Sequence, residues 1–243
     1  LTATSDNNCV TSISQQVEVF SEPLAAYSFT DDCLYEEVNF VNTSTINIGQ
    51  IVNWDWDFGD GVVSTDESPN YTYSVDGTYT VTLIITSDNG CDDTLSQLIT
   101  RYPVPQPSFT ANPECLYTPI SFNNTSMINA PDNITSWIWN FGDGSALSSD
   151  QSPTHVYPTE GEYAVTLIAS SNNGCVATFE DTITAYPIPV ASFIATEICE
   201  NEPPTRFTNQ STITSGSIVT TTWDFGDGNL STLPNPSNYY NQA

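Results

Sequence analysis

Short runs in which apolar and polar side chains alternate dominate this chain. Tyr79, Val81 and Leu83 form one run, and Val165 and Leu167 belong to another. An alternation with a period of two predicts β-strands that bury one face. No useful stretch has the 3.6-residue period of an amphipathic helix, so the pattern predicts an all-β fold.

Turn and linker signals divide these predicted strands. Asn-Gly pairs at 89–90 and 173–174 follow the two alternating runs and predict tight hairpins. Proline-rich segments at 103–107 and 186–189 predict short, semi-rigid linkers between domains.

An internal repeat defines the domain organisation. Trp-Asp-Phe-Gly-Asp-Gly at 56–61 recurs at 223–228, and it recurs at 139–144 with Asn140 in place of the first aspartate. The copies follow each other after 83 and 84 residues. Each copy holds about seven predicted strands, with a tryptophan early and a tyrosine late. These features predict tandem immunoglobulin-like β-sandwich domains in a linear rod.

The repeat phase predicts four segments. Residues 1–22 are expected to be the C-terminal part of a truncated repeat, and residues 23–103 and 104–187 are expected to be whole repeats. Residues 188–243 are expected to be the N-terminal part of another truncated repeat. We therefore expect a much longer parent protein.

The charge of the chain limits its partners. Twenty-nine acidic residues oppose two basic ones, Arg101 and Arg206, and the net charge is -27. Such a charge repels nucleic acid and anionic membrane surfaces, so neither is an expected partner. No run of 18 apolar residues exists, so no membrane insertion is expected. Aromatic residues form 12% of the chain, which is typical of a folded protein.

The repeated motif, a later Pro-x-x-x-Tyr segment and Gly-x-Tyr-x-Val-Thr-Leu at 77–83 together resemble the polycystic kidney disease (PKD) domain family. The cysteine-bearing version of the repeat is similar to tandem copies in very large Bacteroidetes surface proteins of the gliding-adhesin type. That resemblance implies an extracellular protein attached to the bacterial cell surface and exported by the type IX pathway.

The acidic loops of the repeats have two interpretations. Their carboxylates suit a hard cation such as Ca²⁺, and the resemblance supports this, because some family members bind calcium. The alternative, which we favour, is that they cap backbone amides in tight turns. No cofactor is required, and Ca²⁺ is possible. The candidate ligands are Asp57, Asp60, Asp143, Asp224 and Asp227.

Catalysis is not expected. His155 is the only histidine, and Tyr71 and Asn238 occupy its equivalent positions, so no function shared by the repeats needs an imidazole. Trp54 and Trp137 each lie two residues before a core tryptophan and therefore share its face of the strand. They are candidates for stacking on a sugar, although packing at the rim of the core is the favoured interpretation.

Six cysteines predict an oxidising compartment. Cys33 lies in the first turn of a repeat, and Cys175 follows the last turn of the next repeat. The first and last turns of one sandwich lie about 25 Å apart, whereas the Cα atoms of a disulfide need to approach within about 7 Å. We therefore favour a Cys33–Cys175 bond.

Pairing within repeats, as Cys33–Cys91 and Cys115–Cys175, remains the alternative. If Cys33 bonds to Cys175, the other four cysteines are expected to pair with neighbouring repeats. These four are Cys9, Cys91, Cys115 and Cys199.

Thr94 and Thr182 follow aspartates in an Asp-Thr-aliphatic pattern. By resemblance to Bacteroidetes proteins this pattern implies O-glycans. The alternative is that each threonine simply begins the last strand of its repeat.

The main functional hypothesis is a structural or adhesive stalk of a giant secreted surface protein or filament. Its expected partners are neighbouring repeats, copies of itself in a fibre, and surface polysaccharide. The alternative is a carbohydrate-binding or spacer region of a large secreted hydrolase, in which Trp54 or Trp137 would contribute to saturable binding.

Overall fold

The computed structural model describes residues 1–198 and 204–240, and within these ranges it contains strands, turns and loops but no helix. No helix able to cross a membrane is therefore found there. The chain forms two compact units. Unit 1 comprises Leu1–Val104, Ile128–Asn133 and Asn172–Cys175, and unit 2 comprises Pro105–Met127, Ile134–Ser171 and Val176–Ala243.

An isolated hairpin occupies the start of unit 1. Strand β1 (Thr2–Thr4) pairs antiparallel with β2 (Val10–Ser12). Every residue of the hairpin is exposed, including the apolar side chains of Leu1 and Val10.

The rest of unit 1 is mainly the first repeat, a two-layered sandwich. One layer has the strand order β4-β11-β10-β7-β8, and the other layer contains the pairs β3–β6 and β5–β9. The strands are β3 (Tyr27–Ser28), β4 (Asp32–Cys33), β5 (Val38–Asn39), β6 (Val41–Asn42), β7 (Ile51–Asp57), β8 (Val63–Ser64), β9 (Asn70–Tyr71), β10 (Gly77–Ser87) and β11 (Asp92–Tyr102).

The alternation along β10 builds the core of this sandwich. Val81, Leu83 and Ile85 are fully buried. Leu83 lies opposite Trp56 of β7 in the antiparallel pairing. Tyr27 from the other layer packs edge-on against Trp56, with ring centroids 5.0 Å apart, and its hydroxyl donates to the Val81 carbonyl. Burial raises the pKa of Tyr27 to about 12, with Gln97 opposing the shift.

The second repeat has the same architecture. Its larger sheet has the order β13-β19-β18-β16, and β12–β15 and β14–β17 form the facing layer. The strands are β12 (Phe109–Thr110), β13 (Glu114–Cys115), β14 (Ile120–Ser121), β15 (Asn123–Asn124), β16 (Ile134–Asn140), β17 (Thr154–His155), β18 (Gly161–Ser171) and β19 (Val176–Tyr186).

The third repeat has an open core. Up to residue 240, and apart from 199–203, no strand corresponds to β10 or β11. Phe193 is consequently 57% exposed, whereas its counterparts Tyr27 and Phe109 are buried. The strands are β20 (Phe193–Ala195), β21 (Thr205–Asn209), β22 (Trp223–Asp224), β23 (Leu230–Ser231) and β24 (Ser237–Asn238).

Replacing Gly59 by alanine should destabilise the first repeat much more than replacing Gly61. Both glycines have positive φ, but a Cβ on Gly59 would lie 2.5 Å from the Thr80 carbonyl oxygen, whereas Gly61 has open space. We expect a loss of unfolding free energy of at least about 3 kcal/mol for Gly59→Ala and about 1–2 kcal/mol for Gly61→Ala. Urea unfolding followed by tryptophan fluorescence measures both, and equal losses would contradict the close approach.

Candidate functional site

The acidic loop after each core tryptophan is held by its own side chains. In the first repeat, Asp57 Oδ1 accepts a hydrogen bond of 2.8 Å from the Gly59 amide, and Asp60 Oδ1 accepts one of 3.2 Å from Val62. Such Asx turns stabilise a tight loop locally. The equivalent acceptors in the other repeats are Asn140, Asp143, Asp224 and Asp227.

The second oxygen of the later aspartate binds a side chain on a later strand of the same repeat. Asp60 Oδ2 accepts from the Tyr71 hydroxyl at 2.6 Å. In the second repeat His155 Nε2 lies 2.8 Å from Asp143 Oδ2. In the third, Asn238 Nδ2 donates to Asp227 Oδ2 at 2.7 Å. Three different residue types therefore close the same loop, which we call the acidic clasp.

Stacking fixes the donor of the clasp in the two closed repeats. The Tyr71 ring lies parallel to Phe58, with centroids 4.2 Å apart, and His155 lies parallel to Phe141 at 4.1 Å. Because the sole histidine is committed to this contact and is largely buried, its side chain has a structural role.

The pKa values of the groups in the clasp are shifted. At Asp143 burial acts to raise the pKa, but hydrogen bonds from Ser145 and the contact with His155 outweigh it and leave the pKa lowered. Hydrogen bonds from Asn238 and Asn229 lower the pKa of Asp227. Burial, reinforced by the hydrogen bond to Asp60, raises the pKa of Tyr71 to about 12.

The clasp does not fit a calcium site. A calcium ion needs six to eight oxygen ligands, whereas both oxygens of Asp60 already accept hydrogen bonds from its own domain. Across residues 1–198 and 204–240, no group of three or more histidine, cysteine, aspartate or glutamate side chains could hold a metal. Calcium binding therefore stays a prediction without a matching ligand set.

Trp54 and Trp137 lie at the rims of their cores. Each is half-buried and packs against the hydrophobic cluster of its own repeat. The indole N–H of each is buried without a hydrogen-bond partner. The geometry places apolar ring surface against the core, and sugar stacking at these positions stays a prediction.

Thr94 and Thr182 lie on exposed positions of the last strand of their repeats. Asp181 Oδ1 accepts a hydrogen bond from the Thr182 amide. Glycosylation at these two exposed residues stays a prediction.

A cystine joins the first and second repeats within unit 1. Cys33 and Cys175 are bonded, with Cα atoms 5.6 Å apart and a sequence separation of 142 residues. Two segments of the second repeat, Ile128–Asn133 and Asn172–Cys175, form its tip in unit 1. Asp132 holds this tip together, because its Oδ1 accepts hydrogen bonds from the side chains of Asn172 and Asn173. Asn129 of the same tip donates to Asp76 at 2.8 Å.

Arg101 stabilises the turn that carries Cys33. It is 1% exposed, and its Nη2 donates to the carbonyls of Cys33 and Glu36. Its Nε and Nη1 have no partner, and burial lowers its pKa. This role was not predicted from the sequence. Arg101 occupies the position of Ala185 in the second repeat, and a charged residue at a position that is apolar in the next repeat could have indicated it.

The remaining cysteines behave differently. Cys9 and Cys115 are exposed, Cys91 is half-buried, and all three are free thiols. Cys199 lies outside the described residues, so its predicted pairing has no structural counterpart. Bonds from these four cysteines to neighbouring repeats stay predictions.

The sandwich repeats, their aromatic cores and their acidic clasps define tandem immunoglobulin-like β-domains. The family described as "PKD domain" matches residues 21–101, 102–185 and 186–243. The chain therefore belongs to the PKD domain family.

Curated relatives share the repeat as a small part of their length. The pre-pro-metalloprotease PrtV of Vibrio cholerae serotype O1 is 33% identical over 138 residues, which are 56% of this chain and 15% of the protease. The microbial collagenase of Vibrio alginolyticus is 39% identical over 64 residues, which are 26% of this chain and 8% of the collagenase. These relatives are similar to the chain through the repeats alone.

A solved structure provides a further likeness. The PKD1 domain from the Vibrio cholerae metalloprotease PrtV is 39% identical, with a TM-score of 0.31. The match covers 33% of this chain and 96% of that domain.

Acidification should remove the stabilising contribution of Asp143. Its pKa is lowered in the folded state, so the contribution is complete above about pH 4 and is lost as the pH falls through the folded pKa. We expect Asp143→Asn to lower the free energy of unfolding by about 1 kcal/mol at pH 7 and by much less below about pH 3. Thermal unfolding of both proteins at several pH values measures the difference.

The exposed Glu162 provides the matched control. Glu162→Gln should differ little from the unchanged protein at any pH. A constant difference between Asp143→Asn and the unchanged protein down to pH 2 would contradict an ionised clasp.

Proposed function

We propose that this chain is a non-catalytic, load-bearing spacer array within a large secreted extracellular protein. The observation that carries the proposal is the cystine between consecutive PKD repeats, because a spacer under tension benefits from a covalent link across its domain boundary. The tandem match to three PKD repeats supports the array.

The relatives favour a spacer or accessory region of a secreted hydrolase. The PKD-matching relatives named above are a metalloprotease and a collagenase, and the matched segment is a minor part of each. A comparable place in a longer protein explains a chain built from PKD repeats. We extend the extracellular location to this chain on the same basis, and the cystine agrees with it.

The side-chain chemistry supports the non-catalytic part of the proposal. The only histidine stacks on Phe141, and its Nε2 binds Asp143, so the ring is held by contacts within its own domain. The clasp repeats in all three domains with a tyrosine, a histidine or an asparagine as donor. A catalytic site shared by the repeats would need the same functional group in each of them, whereas a structural hydrogen bond tolerates all three donors.

An adhesive surface stalk is the second candidate. The cystine favours it too, because a stalk transmits force between a cell and its target. Attachment to the cell surface, a gliding adhesin as parent and type IX export depend on the sequence resemblance alone. None of the relatives named above is a Bacteroidetes surface protein, so these finer assignments stay proposals.

The cystine should remove most of the first two repeats from the path of an applied force. Tension on the chain ends passes through the Cys33–Cys175 bond, and the residues between them remain unloaded. Since an extended residue spans about 3.4 Å, the 142-residue separation hides about 480 Å of contour length. Single-molecule stretching in the presence and absence of a reductant measures this length.

The Cys33→Ser variant should extend to the full length with or without reductant. Bonds within repeats would instead release two steps of about 200 Å each, because Cys33 and Cys91 are 58 residues apart and Cys115 and Cys175 are 60 apart. That result would contradict a covalent link between the first and second repeats.

The Trp54→Ala variant distinguishes a spacer from a carbohydrate-binding module. A spacer should lose stability, by about 2 kcal/mol for removal of a half-buried indole, and should show no saturable binding to soluble polysaccharides or collagen before or after the change. Calorimetric titration and thermal unfolding measure the two properties. Val52→Ala, an exposed position on the same strand, is the control. Saturable binding that Trp54→Ala abolishes and Val52→Ala preserves would favour the accessory binding module.

A further inference from the structure

Arg101 is a buried cation at a position that is apolar in the second repeat. Ten residues after Cys91 the sequence has Arg101, and ten residues after Cys175 it has Ala185. Arg101 is 1% exposed and Ala185 is 2% exposed, so both side chains face inward. A small apolar side chain therefore satisfies the fold at this position, and the arginine needs a separate explanation.

The arginine is costly to bury. Its Nε and Nη1 have no hydrogen-bond partner among the described residues, and unpaired donors on a buried charged group cost free energy. Its Cζ lies 6.0 Å from the centroid of the Tyr73 ring, and a cation–π contact of this kind offsets only part of that cost. Another interaction of this turn must offset the rest.

Formation of the turn does not require the arginine. The turns that follow Cys33 and Cys115 have a residue with positive φ at the same place, 69° at Tyr35 and 65° at Tyr117. In each turn the residue before this tyrosine donates its amide to the carbonyl at the end of the last strand. The two turns therefore share their backbone conformation, although the second has Ala185 beside it.

Arg101 is bonded to the residue that carries the cystine. Its Nη2 donates to the carbonyls of Cys33 and Glu36, so one group holds both ends of the turn. Cys33 is bonded in turn to Cys175 of the tip, whose Sγ lies 4.0 Å from the Tyr102 carbonyl oxygen. The arginine is thus one hydrogen bond away from the residue to which the tip of the second repeat is attached.

Carboxylates lie on both sides of this attachment. On the first repeat, the charges of Asp32 and Glu36 act on Arg101 and oppose the lowering of its pKa by burial. Asp76 of the same repeat accepts a hydrogen bond from the tip, and Asp132 belongs to the tip itself. Like charges that face each other across a contact repel and weaken it.

One basic side chain is available to balance these charges. The sequence has two, Arg101 and Arg206, and Arg206 belongs to unit 2. The guanidinium of Arg101 stays protonated at neutral pH. Because an interior position screens a charge less than water does, its effect on the surrounding carboxylates is larger than that of an exposed arginine.

We infer that Arg101 is the positioning residue of the link between the first two repeats. It fixes the main chain of Cys33 and supplies the positive charge that lets an acidic tip dock on an acidic turn. Docking raises the effective concentration of one thiol beside the other. The Cys33–Cys175 bond is therefore harder to reduce with Arg101 than without it.

Equilibration with glutathione measures this effect. Two glutathione thiols give up two electrons and two protons and form glutathione disulfide, and the Cys33–Cys175 bond takes these up and becomes two thiols. A tip that stays docked in the reduced protein favours re-formation of the bond. The equilibrium needs no applied force, so its outcome is independent of whether the chain is a load-bearing spacer.

Three variants are compared with the unchanged residue at the position tested. Arg101→Met fills the same space without the charge, Arg101→Lys keeps the charge but cannot hold both carbonyls as a guanidinium does, and Arg206→Met is the control at an exposed position. Each protein is equilibrated over a series of glutathione ratios at about 0.1 M and about 1 M salt. Alkylation and mass spectrometry then give the oxidised fraction. All four proteins also carry Cys9→Ser, Cys91→Ser, Cys115→Ser and Cys199→Ser.

Arg101→Met should lower the equilibrium constant for the bond about tenfold at the lower salt concentration, which corresponds to about 30 mV. At the higher salt concentration the loss should be smaller, because repulsion between exposed carboxylates is screened within about 3 Å. Arg101→Lys should recover part of the loss. Arg206→Met should behave like the unchanged chain.

A residue that only stabilised the first repeat would affect the oxidised and reduced proteins alike and leave the equilibrium constant unchanged. Tryptophan fluorescence of the reduced proteins shows that each is folded, and Arg101→Ala, with the side chain found in the second repeat, replaces a methionine variant that unfolds. An unchanged equilibrium constant in the folded variant would overturn the inference, as would an equal loss in Arg206→Met. A loss that is the same at both salt concentrations would also overturn it, because the charge would then contribute nothing.

Discussion

The core tryptophan is the residue on which the packing of each repeat depends. Trp56 and Trp139 are essentially inaccessible, and each indole N–H donates to a loop carbonyl, of Asp66 or Asp150 respectively. A domain of about 80 residues buries a limited fraction of its surface, so large aromatic side chains supply much of its core. The same residue ties the two layers to the loop below them. In the third repeat Trp223 keeps its loop bond, to Leu233, but its ring remains half-exposed because the covering strands are missing from the described residues.

Charge imposes the second constraint. With 29 acidic residues and two basic ones, ion pairs cannot hold the surface together. Neutral or weakly basic donors do so instead: a phenol, an imidazole and an amide close the three clasps. Arg101, which is buried, donates to two backbone carbonyls. Burying it there is costly, and the gain is a rigid support for the turn that carries Cys33.

Because the chain is built from repeats, equivalent turns can be compared within one molecule. The turn at Cys33 is occupied, and the turn at Cys115 has the same backbone conformation with a free thiol. The hairpin at Cys9 has the hydrogen bonds of the hairpin at Cys91. The cysteine turn therefore occurs in both bonded and free form within the part of the chain that the structure describes.

The sequence alone determined the fold class and the repeat, because strand periodicity and turn residues are local properties of the chain. Inward alternation at Val81 and Leu83 and the aspartate turn at Asp60 could be predicted in the same way. The partners of these residues could not. The clasp between Asp60 and Tyr71 and the support that Arg101 gives to the Cys33 turn join residues that only the packing of two layers brings together. Pairing of Cys33 with Cys175 was favoured from the dimensions of a sandwich, but pairing within repeats stayed open. Distances between turns on different domains depend on how the tip of one repeat packs against another, and only the tertiary structure decides that.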